Sequence, residues 1–296
     1  MKASGVYADC PTPFDSDGEL DLPGLRRLID FYVRAGVKGV LILGQAGEAG
    51  ELSSFERRRV METAVMHAGG RVPVWVGVQA CGIRPAVEQA QRAEALGAQA
   101  LCVHAPSGND EWHDLFFSEL AQSVHIPMTV REGSHAMAES SLARLALQPF
   151  MAGLVLERPP AGLRLARLRE AGARPAKVLA GECGASPLEL LERGAGGVLT
   201  ASAFPEIWLR IHGLHASGQA EDAAAVLDRY EALLAYERQP LLDIALRKQL
   251  YFRRGLIASD TMRAPSVLPD DTVERVLADR LRRAGLTLRA EPIPVT

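Results

Sequence analysis

Three charged residues stand at the ends of apolar runs that have the character of buried strands. Arg131 ends the run that begins at Pro127, Glu157 ends the next run, and Glu182 directly follows a later one. A guanidinium keeps its charge and binds carboxylate or phosphate through a fork of hydrogen bonds, so Arg131 is a candidate anchor for an anionic ligand. Glu157 and Glu182 are candidate bases. The structural alternative is an internal salt bridge between Arg131 and one of these glutamates, because a buried charge needs a partner.

Loop residues form a second group of candidates. Gln45, Ala46 and Glu48 lie in a glycine-containing loop that follows another apolar run and leads into a helix with a capping box. Amide groups near the start of a helix favour a carboxylate, so we predict that these three residues bind substrate. Glu48 has a competing structural role, in which it fixes backbone amides of the loop. Ser134 and His135 offer a hydroxyl and an imidazole, but sequence neighbours rarely form a catalytic pair.

A repeating pattern of strand and helix must position these residues. Eight apolar runs alternate with amphipathic helical segments, and most runs are continuous, as in parallel strands buried on both faces. The runs are 5–10, 39–43, 72–78, 100–104, 127–131, 153–157, 177–181 and 197–200. We predict a closed (β/α)8 TIM barrel whose strand ends carry the site, with an open doubly wound sheet as the alternative. Trp75 is predicted to pack between the barrel and its helices.

The pattern changes to helices alone after Thr200. Apolar residues recur at helical spacing to the end of the chain, without a further strand-like run. The sequence therefore predicts a barrel at residues 1–217, a C-terminal helical extension at 218–286 and an extended or frayed tail at 287–296.

Composition limits the classes of partner. The chain has 296 residues, a formal net charge of −3 and a pI of about 6.2, which argue against nucleic acid or an anionic membrane as the main ligand. No apolar run suits a signal peptide or a membrane span. The four cysteines are far apart, so we predict free thiols and a cytoplasmic protein. Carboxylates among the candidates are suitable metal ligands, but their spacing specifies no metal site, and no cofactor is predicted.

Short motifs spread along the chain form a recognisable set. They are Thr12-Pro13-Phe14, Gly36-Val37-Lys38-Gly39-Val40, Gly44-Gln45-Ala46-Gly47-Glu48, Ala95-Leu96-Gly97-Ala98, Gly194-Ala195-Gly196-Gly197-Val198, Gly255-Leu256-Ile257 and Arg263-Ala264-Pro265. The set resembles the dihydrodipicolinate synthase and N-acetylneuraminate lyase family of pyruvate-handling aldolases, to about Leu286. The resemblance implies a TIM barrel, a small carboxylate of the 2-oxo acid type as ligand, and a homo-oligomer, either a tetramer or a dimer.

The sequence departs from that family's pattern where the family carries its chemistry. Family members use a lysine on strand six to form a Schiff base with the substrate and a tyrosine at the end of strand five to transfer protons. Here the lysine position falls on Val155 or Leu156, depending on the register, and Arg131 stands at the tyrosine position. Gln45 and Ala46 replace the two threonines that grip the substrate carboxylate.

None of the four lysines is predicted to reach the pocket. Lys38 and Lys177 precede strands two and seven, Lys2 is terminal, and Lys248 lies in the helical extension. We therefore predict a divergent lyase or hydratase that acts on a small carboxylate without a Schiff base and uses Arg131 as its anchor. The alternative is a catalytically silent member that binds a small anion or pairs with an active paralogue. A third hypothesis is the family activity through an amine that the sequence does not reveal.

Overall fold

A computed structural model of the protein describes residues 4–132, 137–182 and 186–295; Lys2, Ser134 and His135 lie outside these ranges. Eight parallel strands form a closed barrel in chain order, and the last strand pairs with the first. The strands are β1 Gly5–Asp9, β2 Gly39–Ile42, β3 Val74–Val78, β4 Ala100–His104, β5 Met128–Arg131, β6 Met151–Leu156, β7 Val178–Gly181 and β8 Gly197–Thr200. The predicted (β/α)8 barrel is confirmed.

Helices connect successive strands and cover the outside of the barrel. They are α1 Leu22–Ala35, α2 Ser54–Ala68, α3 Ile83–Ala95, α4 Asp110–Ser123, α5 Glu139–Ala146, α6 Ala161–Glu170, α7 Pro187–Glu192 and α8 Pro205–Ala216. Local sequence sets their ends. Ser53 and Glu56 form the predicted capping box at the start of α2, and Gly36 ends α1 with a φ of 90°, which glycine adopts without strain.

Further helices follow the barrel, as predicted. They are α9 Ala220–Glu237, α10 Asp243–Arg253 and α11 Asp271–Ala284. The segment after α11 is extended and docked, because Arg254 is buried and donates hydrogen bonds to Glu206 and to the carbonyl of Arg289. The N–H of Ile293 also donates to Glu206, at 3.0 Å. In the part of the chain that the structure describes, no helix combines the length and apolar character of a membrane span.

The strand residues divide into an outer layer under the helices and an inner layer on the barrel axis. The inner layer consists of Tyr7, Leu41, Trp75, Ala100, Cys102, Val155, Leu179 and Leu199. The prediction for Trp75 is wrong, since its ring packs 4.4 Å from that of Tyr7 inside the barrel. Val74 and Val76 face the helices instead, and the two-residue alternation of a strand turns Trp75 inward.

The same alternation fixes the register of β6. Val155 belongs to the inner layer and Leu156 to the outer one, so Val155 is the residue that faces the barrel axis near the end of the strand. Its Cα pairs with that of Arg131 on β5. Apolar side chains fill the axis below this level. Among the barrel residues that the structure describes, those at the carboxyl ends of the strands and in the loops after them are therefore placed to form a site.

Candidate functional site at the barrel mouth

Arg131 points into the barrel mouth from the end of β5. Its Nε and Nη2 atoms donate to the two carboxylate oxygens of Glu157 at 3.0 and 2.9 Å, and its Nη1 atom donates to Asp9 Oδ2 at 2.7 Å. All three side chains are buried, with at most 5% of each residue exposed. The salt bridge that we considered as the structural alternative is therefore present, with Glu157 as the partner. Asp9 is a second partner that we did not predict, although an aspartate inside the first apolar run was a usable signal.

The charges of this trio are mutually dependent. Burial alone would lower the pKa of Arg131, but the adjacent carboxylates of Glu157 and Asp9 raise it well above its ordinary value. Burial raises the pKa of Asp9, and the Arg131 guanidinium only partly offsets this. Buried charges of this kind are tolerated while each has its partner. Removing one member leaves an unpaired buried charge and lowers the stability of the fold. The trio closes the centre of the mouth as a plug, a name we keep for Asp9, Arg131 and Glu157 together.

Little space remains above the plug. The cavity there is about 10 Å³ and is lined by Asp9, Gln45, Ala46, Arg131, Glu182, Leu199, Ala201, Asp243 and Arg247. A cavity of this size holds about one water molecule. The structure therefore brings Gln45, Ala46 and Glu182 to the mouth beside Arg131, as their positions after the strands indicated, but this cavity itself has no room for a small carboxylate. Gln45 also lines, with Glu48, a separate cavity of about 490 Å³. The roles of Gln45, Ala46 and Glu182 in substrate binding and catalysis stay predictions.

Glu48 connects the loop after β2 to the helical extension. Its carboxylate forms an ion pair with Lys248 and accepts the N–H of Arg263 at 2.9 Å. The backbone of Glu48 is in the left-handed region, with a φ of 49°, so the loop holds a conformation that is uncommon for a residue with a side chain. The structural role that we considered for Glu48 involved loop amides; the observed one reaches across the chain to α10.

Lys248 lies in α10, as expected, but the fold brings it against this loop. It is fully buried, its Nζ atom donates to the carbonyl of Thr261 at 2.9 Å, and the ammonium lies 4.1 Å from the centre of the Phe14 ring. Burial lowers its pKa, and Glu48 acts in the opposite direction. Lys177 lies at the other end of the barrel and donates to the carbonyl of Met151. Lys248 is thus nearer the mouth than its position in the extension suggested.

Two more acidic side chains approach the mouth from β7 and α9. Glu182 follows β7 and accepts the N–H of Ala201 at 2.9 Å through Oε2. Glu237, the last residue of α9, is fully buried, and burial together with Glu182 raises its pKa to about 7. Arg247 of α10 opposes that rise. Sequence reasoning missed Glu237 and Arg247, because nothing local indicates that residues after the barrel return to its axis.

His104, at the end of β4, completes the rim. Burial and the nearby Arg131 lower its pKa to about 3, so the imidazole is neutral at ordinary pH. Its Nε2 atom lies 3.4 Å from the side-chain amide of Gln79. Glu132, next to Arg131, turns outward and forms two hydrogen bonds with Arg164 of α6, at 2.6 and 2.7 Å. Within the described residues, no three histidine, cysteine or acidic side chains are grouped to hold a metal ion.

The chain forms a closed barrel with polar strand ends at one mouth, and further helices follow the eighth β/α unit. This is the architecture of TIM barrel proteins with a C-terminal helical extension. The sequence profile of the dihydrodipicolinate synthetase family matches residues 2–283. The chain therefore belongs to this family.

Individual relatives agree with this assignment. The 4-hydroxy-tetrahydrodipicolinate synthase of Xanthomonas axonopodis pv. citri is 32% identical, over 98% of this chain and 97% of its own length. The L-2-keto-3-deoxyarabonate dehydratase of Azospirillum brasilense is 29% identical over 96% of each chain. The crystal structure of dihydrodipicolinate synthase from Rhodopseudomonas palustris superposes with a TM-score of 0.89 at 28% identity, over 95% of this chain and 97% of that one.

Proposed function

We propose that this chain is a divergent member of its family that forms no Schiff base with a 2-oxo acid and is silent in the family's aldol chemistry. The observation that carries the proposal is the plug: Arg131 points into the mouth, and each of its three guanidinium nitrogens donates to Glu157 or Asp9. The cavity left above it is about 10 Å³, too small for a substrate carboxylate.

The placement of the amines supports the same proposal. The position that carries the Schiff-base lysine in the family corresponds here to Val155, which faces the barrel axis and has no amine. Imine formation needs an uncharged amine that a carbonyl carbon can reach. Lys248 is the lysine nearest the mouth among those described, but its ammonium is held by Glu48 and by the carbonyl of Thr261. A ligand would have to break that ion pair before Lys248 could react.

Trapping with borohydride tests the proposal directly. Wild-type protein incubated with pyruvate and sodium borohydride should show no added mass on any lysine, because no lysine that the structure describes places a free amine inside the barrel mouth, where an imine could form. Intact-mass and peptide mass spectrometry give the readout, with an active family enzyme as the assay control. A reduced pyruvyl adduct on Lys248, or on any other lysine, would show that the proposal is wrong.

The variant Val155→Lys is the matched comparison. It places an amine on the inner face of β6, opposite Arg131 in the strand register. An adduct in this variant, with none in the wild type, would assign the silence to the missing amine. If neither protein formed an adduct, the closed mouth would also be a cause of the missing reaction with pyruvate.

A divergent lyase or hydratase that uses no Schiff base is the second candidate. It would use Arg131 as anchor and Glu157 or Glu182 as base. The observation in its favour is that Glu182 lines the cavity and its Oε1 atom has no hydrogen-bond partner among the described residues. A buried polar atom without a partner needs an explanation, and a catalytic role is one such explanation.

A ligand panel separates the two candidates. A small carboxylate present at a concentration of about 100 times its Kd would stabilise the folded protein by about 2.7 kcal/mol. Such a stabilisation raises Tm by several degrees. We expect no such shift with millimolar pyruvate or other 2-oxo acids, because the plug already satisfies Arg131. A reproducible rise of several degrees with one of them would favour the lyase or hydratase.

We propose further that the protein is a homo-oligomer, a tetramer or a dimer, and that it is cytoplasmic. Large apolar side chains are exposed on its surface, among them Phe55, Met66, Leu241 and Leu268. Contacts between copies would cover such side chains. Light scattering after size exclusion should give a mass of two or four chains, and a monomer at micromolar concentration would contradict the proposed homo-oligomer. The free thiols of Cys10 and Cys102 favour the proposed cytoplasmic location.

A further inference from the structure

The buried carboxyl groups of Glu182 and Glu237 both contact the loop between β8 and α8. Glu182 reaches this loop from β7 and accepts the N–H of Ala201 at 2.9 Å. Glu237 reaches it from the end of α9 and accepts the N–H of Ala203 at 3.3 Å, and the side chain of Ser202 helps to lower its pKa. Both carboxyl groups are thereby held by N–H groups of the same loop. Each uses its Oε2 atom, and the Oε1 atom of each has no hydrogen-bond partner among the described residues.

The charges around this pair do not balance. Glu237 faces Glu182 of β7, and from α10 it faces Arg247 and the hydroxyl of Tyr251. Arg247 is shared, because it also pairs with Asp243 at 3.2 Å and acts on Asp9 across the mouth. Among the described residues here, two guanidinium groups, Arg131 and Arg247, stand against five carboxyl groups, while Arg238, which lines a cavity with Glu182, is paired with Glu231. The five carboxyl groups are those of Asp9, Glu157, Glu182, Glu237 and Asp243.

We propose that the junction between α9 and α10 is a proton-sensitive clasp over the barrel mouth, closed while the Glu237 carboxyl holds a proton and loosened when it loses that proton. A protonated Glu237 removes one negative charge beside Glu182. It also supplies an O–H donor in a place where buried oxygens lack partners. An ionised Glu237 leaves two carboxylates side by side without enough positive charge, and repulsion then acts between α9 and the barrel.

The direction of the pH dependence follows from the geometry. Burial and Glu182 raise the pKa of Glu237 from 4.5 to about 7, against the effects of Arg247, Ser202 and Ala203. A carboxyl group whose pKa is raised by folding contributes its full stability below its unfolded pKa and loses that contribution as the pH rises through its folded pKa. The clasp is therefore most stable below about pH 4.5, weakens as the pH rises towards about 7, and is fully loosened above that pH.

The linker after Glu237 has the features of a hinge. Leu241, four residues further on, is 80% exposed and has a φ of 70°, a left-handed conformation that costs about 1 kcal/mol or more for a residue with a branched side chain. Release of the α9–α10 junction would relieve that strain. Helix α10 carries both Arg247, which lines the cavity above the plug, and Lys248, which pairs with Glu48. Movement at this hinge would uncover the mouth.

Amide hydrogen exchange across pH tests the clasp on the intact protein. After correction for the pH dependence of chemical exchange, protection of α10 should fall about tenfold or more between about pH 6 and pH 8.5. Helix α3, on the far side of the barrel, should not change. In Glu237→Gln, which keeps the shape of the side chain but cannot ionise, α10 should keep its protection at both pH values. Glu221→Gln, an exposed change in the same helix, should behave as the wild type.

Constant protection of α10 in the wild type would overturn the proposal, and so would an equal loss in Glu237→Gln. A carboxyl titration by carbon NMR, with the Glu237 resonance assigned by its through-bond connection to the backbone, gives an independent measurement on the wild type alone. A midpoint near pH 7 is expected, and a midpoint near 4.5 would exclude the clasp even if the variant failed to fold. Glu182→Gln should shift the midpoint to lower pH, because it removes the neighbouring negative charge.

Discussion

Replacing Arg131 by methionine should lower the free energy of unfolding by about 3–5 kcal/mol, the usual cost of removing one member of a buried ion pair. The variant leaves Asp9 and Glu157 at the mouth, where at most 5% of either residue is exposed. Neither can regain water without opening the barrel end. Urea unfolding followed by circular dichroism, with the slope compared between proteins, measures the change.

Two further proteins show whether the loss comes from the stranded carboxyl groups. In the triple variant Asp9→Asn, Arg131→Met and Glu157→Gln, no charge remains in the plug, and most of the stability should return, since a neutral set of similar volume avoids the cost of burying ions. Arg58→Met breaks an exposed pair with Glu62 and should cost no more than about 1 kcal/mol. A loss for Arg131→Met as small as that for Arg58→Met would mean that water or a ligand reaches the mouth.

The stability test also bears on function. If Arg131 served mainly as an anchor for a substrate, its guanidinium would be incompletely satisfied in the free protein and would gain hydrogen bonds on binding. Instead, Glu157 and Asp9 already accept hydrogen bonds from the Nε, Nη1 and Nη2 atoms of Arg131. An arginine at this position is therefore better explained as the counter-charge of two buried acids than as a vacant anion site.

The strand pattern predicted the barrel because each apolar run is buried on both faces, and burial is visible in the composition of the run itself. Position along a strand was also readable. Arg131, Glu157 and Glu182 stand at carboxyl ends, and parallel strands bring those ends together whatever the rest of the sequence does. Trp75 was misplaced because a continuous apolar run does not show which of its residues face the axis, and only the pairing of the closed barrel decides that.

Partners across long sequence distances could not be predicted in the same way. Asp9 and Arg131 are 122 residues apart, and Glu48 lies 215 residues before Arg263. Residues of the extension, such as Glu237 and Arg247, reach the mouth only because α9 and α10 fold back over the strand ends. Helical periodicity predicts that these helices exist, but it does not predict where they dock.

Lys248→Met should cost about 3–5 kcal/mol of unfolding free energy, because it leaves the buried carboxylate of Glu48 without its ion-pair partner. It also removes the cation held over the ring of Phe14. Methionine fits the space of the lysine stem, so loss of packing should contribute little. Urea unfolding gives the magnitude, and hydrogen exchange should show the largest loss of protection in the loop after β2 and in α10.

The double variant Glu48→Gln with Lys248→Met provides the comparison. Because it removes both charges, it should recover most of the loss, leaving a deficit of about 1–2 kcal/mol from the hydrogen bonds to Arg263 and Thr261. If the single variant Lys248→Met were as stable as the wild type, the ammonium would not be committed to Glu48. Lys248 would then be available as an amine, and the borohydride experiment should be read first at this residue.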